Sequence, residues 1–294
     1  MSQSTEARTS IAQRYSRTGL AGAARTALLY VTAIGMCLMA IFPIYWMIVS
    51  TIQPSSYSTR YPPPLWPQAV DLTPLVQVLT ALPIVQWILN TTLLAALTVL
   101  IVLSLTVLGA FTLSALRWRG RSGFGLFLLM TQMLPEALIV IPIFVIFRDL
   151  GLRENLVGLS LIDAAFVLPI GIWILKNIFD TIPLEIYDAA LVDGCTPVGV
   201  LWRIILPLSK PGLVAVGVVA FFHAWNEFLF ASTMITRDAI RPASVGLASL
   251  ISMLDTPIER VLAGGLIFAL FPVIFYLTMQ RHIVAGLTAG AVKG

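Results

Sequence analysis

Five residues with polar or aromatic side chains lie in stretches otherwise apolar enough for a membrane: Glu136 in one stretch, and His223, Trp225, Asn226 and Glu227 in another. Charged groups within a membrane are costly and usually face a cavity or a partner. An aromatic ring beside amide and carboxylate groups suits a ligand that offers apolar faces and hydroxyl edges. We therefore predict that these side chains line a polar pathway across the membrane.

The alternative role of the same residues is structural. His223 and Glu227 are four residues apart, so on a helix they share a face and can pair with each other. Glu136 follows Pro135, whose missing backbone hydrogen bond loosens the helix, and its carboxyl group can be paired within the bundle or held protonated. Asp163 is expected near the outer end of its apolar stretch, as a helix-start residue rather than a ligand contact.

No residue pattern points to catalysis. The chain has two histidines, His223 and His282, and two cysteines, Cys37 and Cys195, with no metal-ligand spacing among them. No glycine-rich loop with lysine and serine or threonine is present to cradle a nucleotide phosphate. The sequence thus predicts no catalytic residue, no metal site and no cofactor, and a chain that does not bind ATP by itself.

The composition indicates a chain that lies in a lipid bilayer. Hydrophobic residues make up 58% of the 294 positions and charged residues 11%, whereas a soluble domain carries about 25% charged residues. Such a chain cannot cover a water-facing surface. The first two dozen residues are polar and precede an apolar run of spanning length, so we expect a membrane protein without a cleaved leader.

We predict an all-helical integral membrane protein with six transmembrane helices, because a span needs roughly 20 apolar residues. Pro135 and Pro142 are expected to kink the third span. The transmembrane region covers residues 26–280, between an N-terminal arm at 1–25 and a C-terminal tail at 281–294. The six apolar stretches are 27–50, 87–116, 123–147, 156–179, 212–234 and 261–280.

Two long polar segments are predicted to be outer loops. Seven prolines between residues 53 and 86 forbid a continuous helix there, so we expect an extended loop over 51–86. Residues 235–260 carry charges of both signs and form the second outer loop.

Lysine and arginine positions predict the orientation. With the N-terminus inside, 12 of the 18 basic residues fall on inner segments and 6 on outer ones. The inner set is Arg8, Arg14, Arg17, Arg25, Arg117, Arg119, Arg121, Lys176, Arg203, Lys210, Arg281 and Lys293, and the outer set is Arg60, Arg148, Arg153, Arg237, Arg241 and Arg260. Both termini are therefore expected in the cytoplasm.

Residues 182–211 form a polar island between apolar stretches. Apolar residues recur at helical spacing before Gly194, which suits the left-handed conformation that ends a helix. Thr196 and Pro197 suit the N-cap and first position of a second helix, expected to end before Pro207. The first helix has no apolar partner within its own segment, so we expect it to present Leu184, Tyr187, Leu191 and Val192 to the cytoplasm.

The spacing within this island resembles the EAA loop of ATP-binding-cassette importer permeases. The run Asp188-Ala189-Ala190, three residues, Gly194, nine residues, Ile204, one residue and Leu206-Pro207 follows that pattern, with Asp188 in place of the usual glutamate. In that family the loop is the coupling helix that docks into a groove of the ATPase subunit. The resemblance implies coupling through Glu185, Asp188, Ala189, Ala190, Asp193, Gly194, Ile204, Leu206 and Pro207. The alternative is an ordinary cytoplasmic helical hairpin.

Two further segments are similar to the maltose-type sugar permeases of that family. Trp225-Asn226-Glu227-Phe228 is similar to a string common in their fifth span. The end of the chain looks like their C-terminus, which reaches into the ATPase dimer. This likeness implies that Lys293 and Gly294 contact the ATPase, and a disordered cytoplasmic end is the alternative.

The resemblance implies a type I importer permease fold and an inner-membrane permease subunit of an ATP-driven importer for a di- or oligosaccharide or related carbohydrate. The implied partners are a second homologous permease, two copies of an ATP-binding subunit, an extracytoplasmic sugar-binding protein and the lipid bilayer, with no nucleic acid. Three alternatives stay open: an importer of the same architecture for glycerol phosphate or a phosphodiester, a membrane-embedded enzyme, and a passive channel or ion-coupled carrier.

Overall fold

The structure is a computed structural model that describes residues 3–58, 60–62, 64–116, 118–252 and 257–289. Within these ranges the regular structure is helical, without a strand, which confirms the predicted all-helical class. The chain divides into two compact units, Met1–Leu72 and Thr73–Gly294. The helices in chain order are α1 (Gln3–Ile52), α2 (Ser55–Ser58), α3 (Thr73–Ala81), α4 (Ile84–Ser114), α5 (Arg121–Thr131), α6 (Glu136–Asp149), α7 (Leu156–Phe179), α8 (Leu184–Val192), α9 (Pro197–Val200), α10 (Leu206–Leu208), α11 (Lys210–Trp225), α12 (Leu229–Met234), α13 (Ala243–Ser252) and α14 (Ile258–Ala289).

The first unit is built on the long helix α1. The apolar side chains in the part Arg25–Ile52 are largely exposed, which suits a surface that lipid covers. The Tyr45 hydroxyl donates a hydrogen bond to the carbonyl oxygen of Leu65 (2.6 Å). The end of α1 therefore holds the segment that follows α2.

Four single helical segments in the described ranges are long and apolar enough to cross a membrane: Arg25–Ile52 of α1, α4, α7, and Ile258–Gln280 of α14. Two bent pairs raise the number to as many as six if each pair is one span: α5 with α6, and Pro197–Leu208 with α11. The predicted second and fourth spans agree closely with α4 and α7, whereas the total of six stays a prediction.

The predicted third span is broken rather than kinked. Helices α5 and α6 meet at an angle of 97°, and Pro135 stands at the break with an extended ψ of 127°. Proline lacks a backbone N–H and disfavours helical geometry in the residue before it, so the helix cannot run through this point. Glu136 starts α6, where unpaired N–H groups favour a negative charge.

Helices α4, α7 and α11 pack on one another and form the core of the second unit. One apolar cluster joins the start of α4 to the end of α11, and a second joins the ends of α4 and α7 to the start of α11. Gly212 lets α11 approach α7 closely, because a Cβ at this position would lie 2.4 Å from Cδ1 of Ile178.

The two long polar segments contain more helix than predicted. Residues Thr73–Ala81 form α3, with Pro74 in the first turn, where the missing N–H needs no partner. The expectation of an extended loop is wrong for this part. In the second segment, a 3₁₀ turn (Asp238–Ile240) precedes α13, and Ala243 and Leu250 of α13 are buried in the core.

Candidate functional site

Residues 184–208 form a helical hairpin, called the hairpin from here on. Helix α8 ends before Gly194, whose φ of +88° is a conformation that glycine adopts without strain. The Thr196 side chain accepts a hydrogen bond from the backbone N–H of Gly199 (3.1 Å) and caps α9, with Pro197 at its first position. The predicted turn and N-cap are confirmed.

The second helix of the hairpin extends further than predicted. A π-helical turn (Leu201–Ile205) leads into α10, which ends one residue after Pro207. Pro207 has no backbone N–H and so cannot donate a hydrogen bond to the preceding turn. In the π turn the backbone bonds join residues five apart, and the helix continues without a bond from Pro207. The expected end before Pro207 is therefore wrong.

The hairpin exposes several large apolar side chains: Leu184, Leu191, Val192, Val198 and Trp202. The Val192 side chain is 88% exposed. A group of exposed large apolar side chains in one short segment indicates an interaction site. Tyr187 is not part of this surface, because its ring packs against Phe111 with the centroids 6.2 Å apart. The expected full exposure of Tyr187 is wrong, since the end of α4 covers part of the side chain and leaves it half-buried.

The residues predicted to couple the chain to an ATPase fall into two groups. The exposed group is Glu185, Asp188, Ala189, Asp193, Gly194 and Pro207. Ala190 is buried, and Ile204 and Leu206 are half-buried against the core. The first group is accessible to a partner, and the second anchors the hairpin to the membrane helices. Lys293, Gly294 and Arg117 lie outside the described residues.

A cavity of about 490 Å³ lies between the hairpin and the ends of α4, α5 and α7. In its wall, Asp180 accepts a hydrogen bond from Ser114 Oγ (2.5 Å) and pairs with Lys176 Nζ (2.5 Å). The bond from Ser114 links the ends of α4 and α7 beside the hairpin. The sequence does not reveal this cluster, because the four-residue spacing of Lys176 and Asp180 alone is typical of any exposed helix.

Four of the five predicted pathway residues meet at the break between α11 and α12. Glu136, His223, Asn226 and Glu227 line one cavity of about 320 Å³, together with Phe228 and Leu229. Glu136 comes from the break between α5 and α6, so two helix breaks face the same space.

Trp225 is separated from this cavity. Its side chain is 1% exposed and stacks on Phe221, Phe268 and Phe271, with ring centroids 5.3, 5.4 and 5.7 Å away. The ring faces are therefore covered by the core rather than open to the space that the other four residues line.

Glu227 fixes the geometry of the break. Its Oε1 accepts hydrogen bonds from the backbone N–H groups of Phe230 (2.6 Å) and Ala231 (3.1 Å), which are free donors at the start of α12. Ser244 Oγ donates to the Glu227 carbonyl oxygen and ties the start of α13 to the same point. Glu227 thus combines a structural contact with a place in the cavity wall.

Asp163 lies in the third turn of α7, where it is completely buried. The N-cap of α7 is Asn155, whose side chain accepts a hydrogen bond from the Val157 N–H (2.8 Å). The prediction of Asp163 as a helix-start residue is therefore wrong. Its Oδ1 lies 4.0 Å from Nε2 of His223, across the packing of α7 against α11.

Just before α7, Glu154 joins two loops. Its carboxylate accepts hydrogen bonds from the backbone N–H groups of Thr236 (2.9 Å) and Arg237 (3.2 Å) and from the Thr236 hydroxyl. Partial burial raises the pKa of Glu154, but the hydrogen bonds from Thr236 and Arg237 together outweigh it and hold the pKa below its usual value. This clasp connects the α6–α7 loop to the segment after α12.

Comparison with known proteins places these features in one family. The family described as binding-protein-dependent transport system inner membrane component matches residues 106–288. The chain is 33% identical over 259 residues to the inner membrane ABC transporter permease protein YcjP of Escherichia coli K12, covering 87% of this chain and 92% of that protein. It is also 33% identical over 270 residues to the trehalose/maltose transport system permease protein MalG of Thermococcus litoralis, covering 91% and 96%.

A solved structure has a similar fold. It is described as a bacterial ABC transporter involved in the import of the acidic polysaccharide alginate, and it matches with a TM-score of 0.74 and 25% identity over 90% of this chain and 96% of that chain. The family match includes the hairpin, the break at Pro135 and the residues around His223. The chain therefore belongs to the family of binding-protein-dependent transport system inner membrane components, and it is a multi-pass membrane protein.

Proposed function

We propose that this chain is the permease subunit of an ATP-driven importer for a di- or oligosaccharide or a related carbohydrate. The exposed hairpin is the observation that carries the proposal, since it offers uncovered apolar side chains to a partner within the family match. The relatives named for trehalose and maltose and for alginate support a carbohydrate cargo. The subunit itself is non-catalytic, and ATP is hydrolysed by a partner.

In this proposal the hairpin docks into a groove of an ATPase subunit. Exposed apolar side chains such as Leu191 and Val192 provide the contact, and Asp188 adds a charge that meets a basic group at the rim. Tyr187 and Ala190 of the same helix pack against the core instead. Closure of the ATPase dimer then moves the hairpin and, through α10, the span that begins with α11.

The cavity at the two helix breaks forms part of the translocation pathway. Glu136, Asn226 and Glu227 offer carboxylate and amide groups that exchange hydrogen bonds with sugar hydroxyls. A second homologous permease supplies the other half of the pathway. Two copies of an ATP-binding subunit and an extracytoplasmic sugar-binding protein complete the transporter.

The orientation in the plasma membrane places both termini and the hairpin in the cytoplasm, where Lys293 and Gly294 reach the ATPase. The excess of basic residues on the inner segments supports this orientation. A cysteine engineered at Asp193 should resist a membrane-impermeant thiol reagent in intact cells and react after permeabilisation. Labelling in intact cells would contradict the proposed orientation and place the hairpin outside.

Import of a glycerol phosphate or a phosphodiester by the same architecture is the second candidate. An anionic cargo favours lysine or arginine in the pathway. The described residues that line this cavity include Glu136 and Glu227 but no lysine or arginine. The carboxylates favour an uncharged carbohydrate.

Uptake into proteoliposomes tests the proposed function. The chain is reconstituted with a partner permease, an ATPase subunit and a binding protein from the same organism, and radiolabelled maltose, trehalose and glycerol phosphate are compared with and without ATP. ATP-dependent uptake of a carbohydrate supports the proposal. Uptake that follows an ion gradient without ATP, or chemical conversion of the cargo by this chain alone, contradicts it.

A further inference from the structure

We propose that Asp163, His223 and Glu227 form a binding site for one divalent transition-metal ion, with zinc as the favoured ion. One ligand atom from each residue lies within 4.8 Å of the other two. The site lies inside the second unit, between α7 and the end of α11, and it does not depend on which cargo is carried.

The three side chains converge from two walls. His223 lies in the last turn of α11, and Glu227 lies in the break that follows it. Asp163 projects from α7, with its Oδ1 4.0 Å from Nε2 of His223. Ligand atoms held at about 2.0–2.2 Å from a tetrahedral zinc lie roughly 3.5 Å from one another, so binding needs only a small inward movement of the side chains.

Unsatisfied polar atoms point to a missing ligand. Asp163 is completely buried, and neither of its carboxylate oxygens has a hydrogen-bond donor. Nε2 of His223 is also without a hydrogen-bond partner. Buried polar atoms in proteins are nearly always satisfied by protein, water or an ion, and here they face one another around one point.

The charges at this point also favour a cation. Glu136 lies near enough for its charge to act on Asp163, His223 and Glu227. Among the described residues, the ion pairs place no lysine or arginine against any of these acids. Two carboxylates away from water are expensive unless they are neutralised, and one divalent ion offsets the charges of Asp163 and Glu227 together.

The ligand types favour zinc over other abundant divalent ions. An imidazole nitrogen with two carboxylate oxygens suits zinc, whereas calcium and magnesium prefer oxygen ligands alone. The N–H groups of Phe230 and Ala231 hold the Glu227 carboxylate in place, as outer contacts do for metal ligands. The adjoining cavity leaves room for a water molecule as a fourth ligand.

Metal content and affinity test the site. The transporter is purified with its partner subunits, stripped with a chelator and equilibrated with zinc, which is counted by mass spectrometry and titrated by calorimetry. We expect one zinc per copy of this chain. Asp163→Asn and His223→Gln should each weaken binding by at least about tenfold, since even the loss of an outer contact has an effect of that size.

His282→Gln is the matched control, because it removes the only other histidine of the chain and should leave the affinity unchanged. If Asp163→Asn prevents assembly, the test uses cobalt bound to the unmodified transporter instead. Cobalt at the site should give a visible absorption spectrum, and added zinc should displace the cobalt and abolish that spectrum. A wild-type transporter without stoichiometric metal, or with the same affinity in the ligand variants, overturns the proposal, and so does a cobalt spectrum that zinc does not displace. Uptake is measured separately, so a failed transport assay leaves this result interpretable.

Discussion

Oε1 of Glu227 lies 2.6 Å from the backbone nitrogen of Phe230, and this hydrogen bond closes a buried break between α11 and α12. Glu227→Gln retains an oxygen that accepts the bond but removes the charge, whereas Glu227→Ala leaves the buried donor without a partner. We expect Glu227→Ala to lower the free energy of unfolding by about 1–3 kcal/mol. Glu227→Gln should keep the assembled complex and reduce uptake. Thermal unfolding and uptake of the two variants are compared.

Asn226 provides the control, because its side chain is exposed to the cavity and its Nδ2 donates only to the Phe222 carbonyl within its own helix (2.8 Å). Asn226→Ala should alter uptake while the stability stays within about 0.5 kcal/mol of wild type, as for most exposed substitutions. Loss of the assembled complex in both Glu227→Gln and Asn226→Ala would show that the cluster serves packing alone.

Asn90 ties Ala239 and Arg241, in the segment predicted to be the second outer loop, to the start of α4. Its Nδ2 donates to the carbonyl oxygens of Ala239 (3.1 Å) and Arg241 (3.0 Å). We propose that this segment senses the docked binding protein, so Asn90→Ala should impair uptake and leave basal ATP hydrolysis intact. A deletion of 239–250 would also remove buried residues of α13 and could destabilise the fold. The point substitution tests the contact alone.

Thr92→Ala is the control for this prediction, since the Thr92 hydroxyl bonds only to the Ile88 carbonyl of its own helix. Uptake and ATP hydrolysis are measured on both variants in proteoliposomes. If Asn90→Ala transports as well as Thr92→Ala, the outer segment is a simple connector.

The Glu154 clasp makes part of the stability depend on pH. The pKa of the folded carboxyl group lies below 4.5 because Thr236 and Arg237 donate hydrogen bonds to its ionised form, despite the opposing effect of burial. The unfolded chain therefore binds more protons in acid, so this stabilisation is fully present above pH 4.5 and is lost as pH falls through the lowered pKa. Glu154→Gln should lower the Tm at neutral pH, and its curve should meet the wild-type curve in acid.

Asp149→Asn serves as the control, because Asp149 is an exposed acid at the end of α6 that is paired only with the neighbouring Arg148. The Tm of the three proteins is followed from neutral to acidic pH. Parallel curves for wild type and Glu154→Gln would mean that the clasp contributes no proton-linked stability.

The apolar surface of the hairpin should dominate docking over the charge of Asp188. Val192 is exposed in this chain and would become buried when the ATPase binds. Burial of a Val side chain contributes roughly 1.5 kcal/mol or more, so Val192→Ser should weaken ATPase binding by about tenfold. An exposed charge contributes about 0–1 kcal/mol, and Asp188→Ala should have the milder effect. Binding of the purified ATPase subunit to each variant is measured by titration. If Asp188→Ala lowers the affinity for the ATPase more than Val192→Ser does, the charge rather than the apolar surface dominates docking.

Features set by neighbouring residues were predictable from the sequence. The turn at Gly194 and the cap at Thr196 follow from backbone rules that act over a few positions, and the apolar run of α7 fixes its bounds. The π turn before Pro207 escaped prediction, because a proline at this point more often ends a helix than continues it through a π turn. Tyr187 and Leu184 have the same helical periodicity, and only the packing of α4 distinguishes the covered side chain from the exposed one.

Features set by the packing of distant helices were not predictable. Asp163 and His223 are 60 positions apart, and no spacing rule indicates that α7 and α11 place them together. The string around Trp225 indicates a polar pathway for the whole group, but Phe268 and Phe271 of α14 stack on the indole ring and remove it from the cavity. Helix breaks, by contrast, concentrate polar groups, and Pro135 marks one of them in the sequence.

The hairpin as the element that transmits ATPase movement is tested most directly at Gly194. Both Gly194 (φ +88°) and Gly151 (φ +69°) have positive φ and open space around the position of a Cβ atom, so an aspartate strains both turns alike. Uptake, ATP hydrolysis and co-purification of the ATPase are measured for Gly194→Asp and for the control Gly151→Asp in the loop after α6. We predict that Gly194→Asp abolishes uptake by uncoupling it from hydrolysis or by losing the ATPase, while Gly151→Asp keeps the ATPase bound; normal uptake in Gly194→Asp would contradict the account.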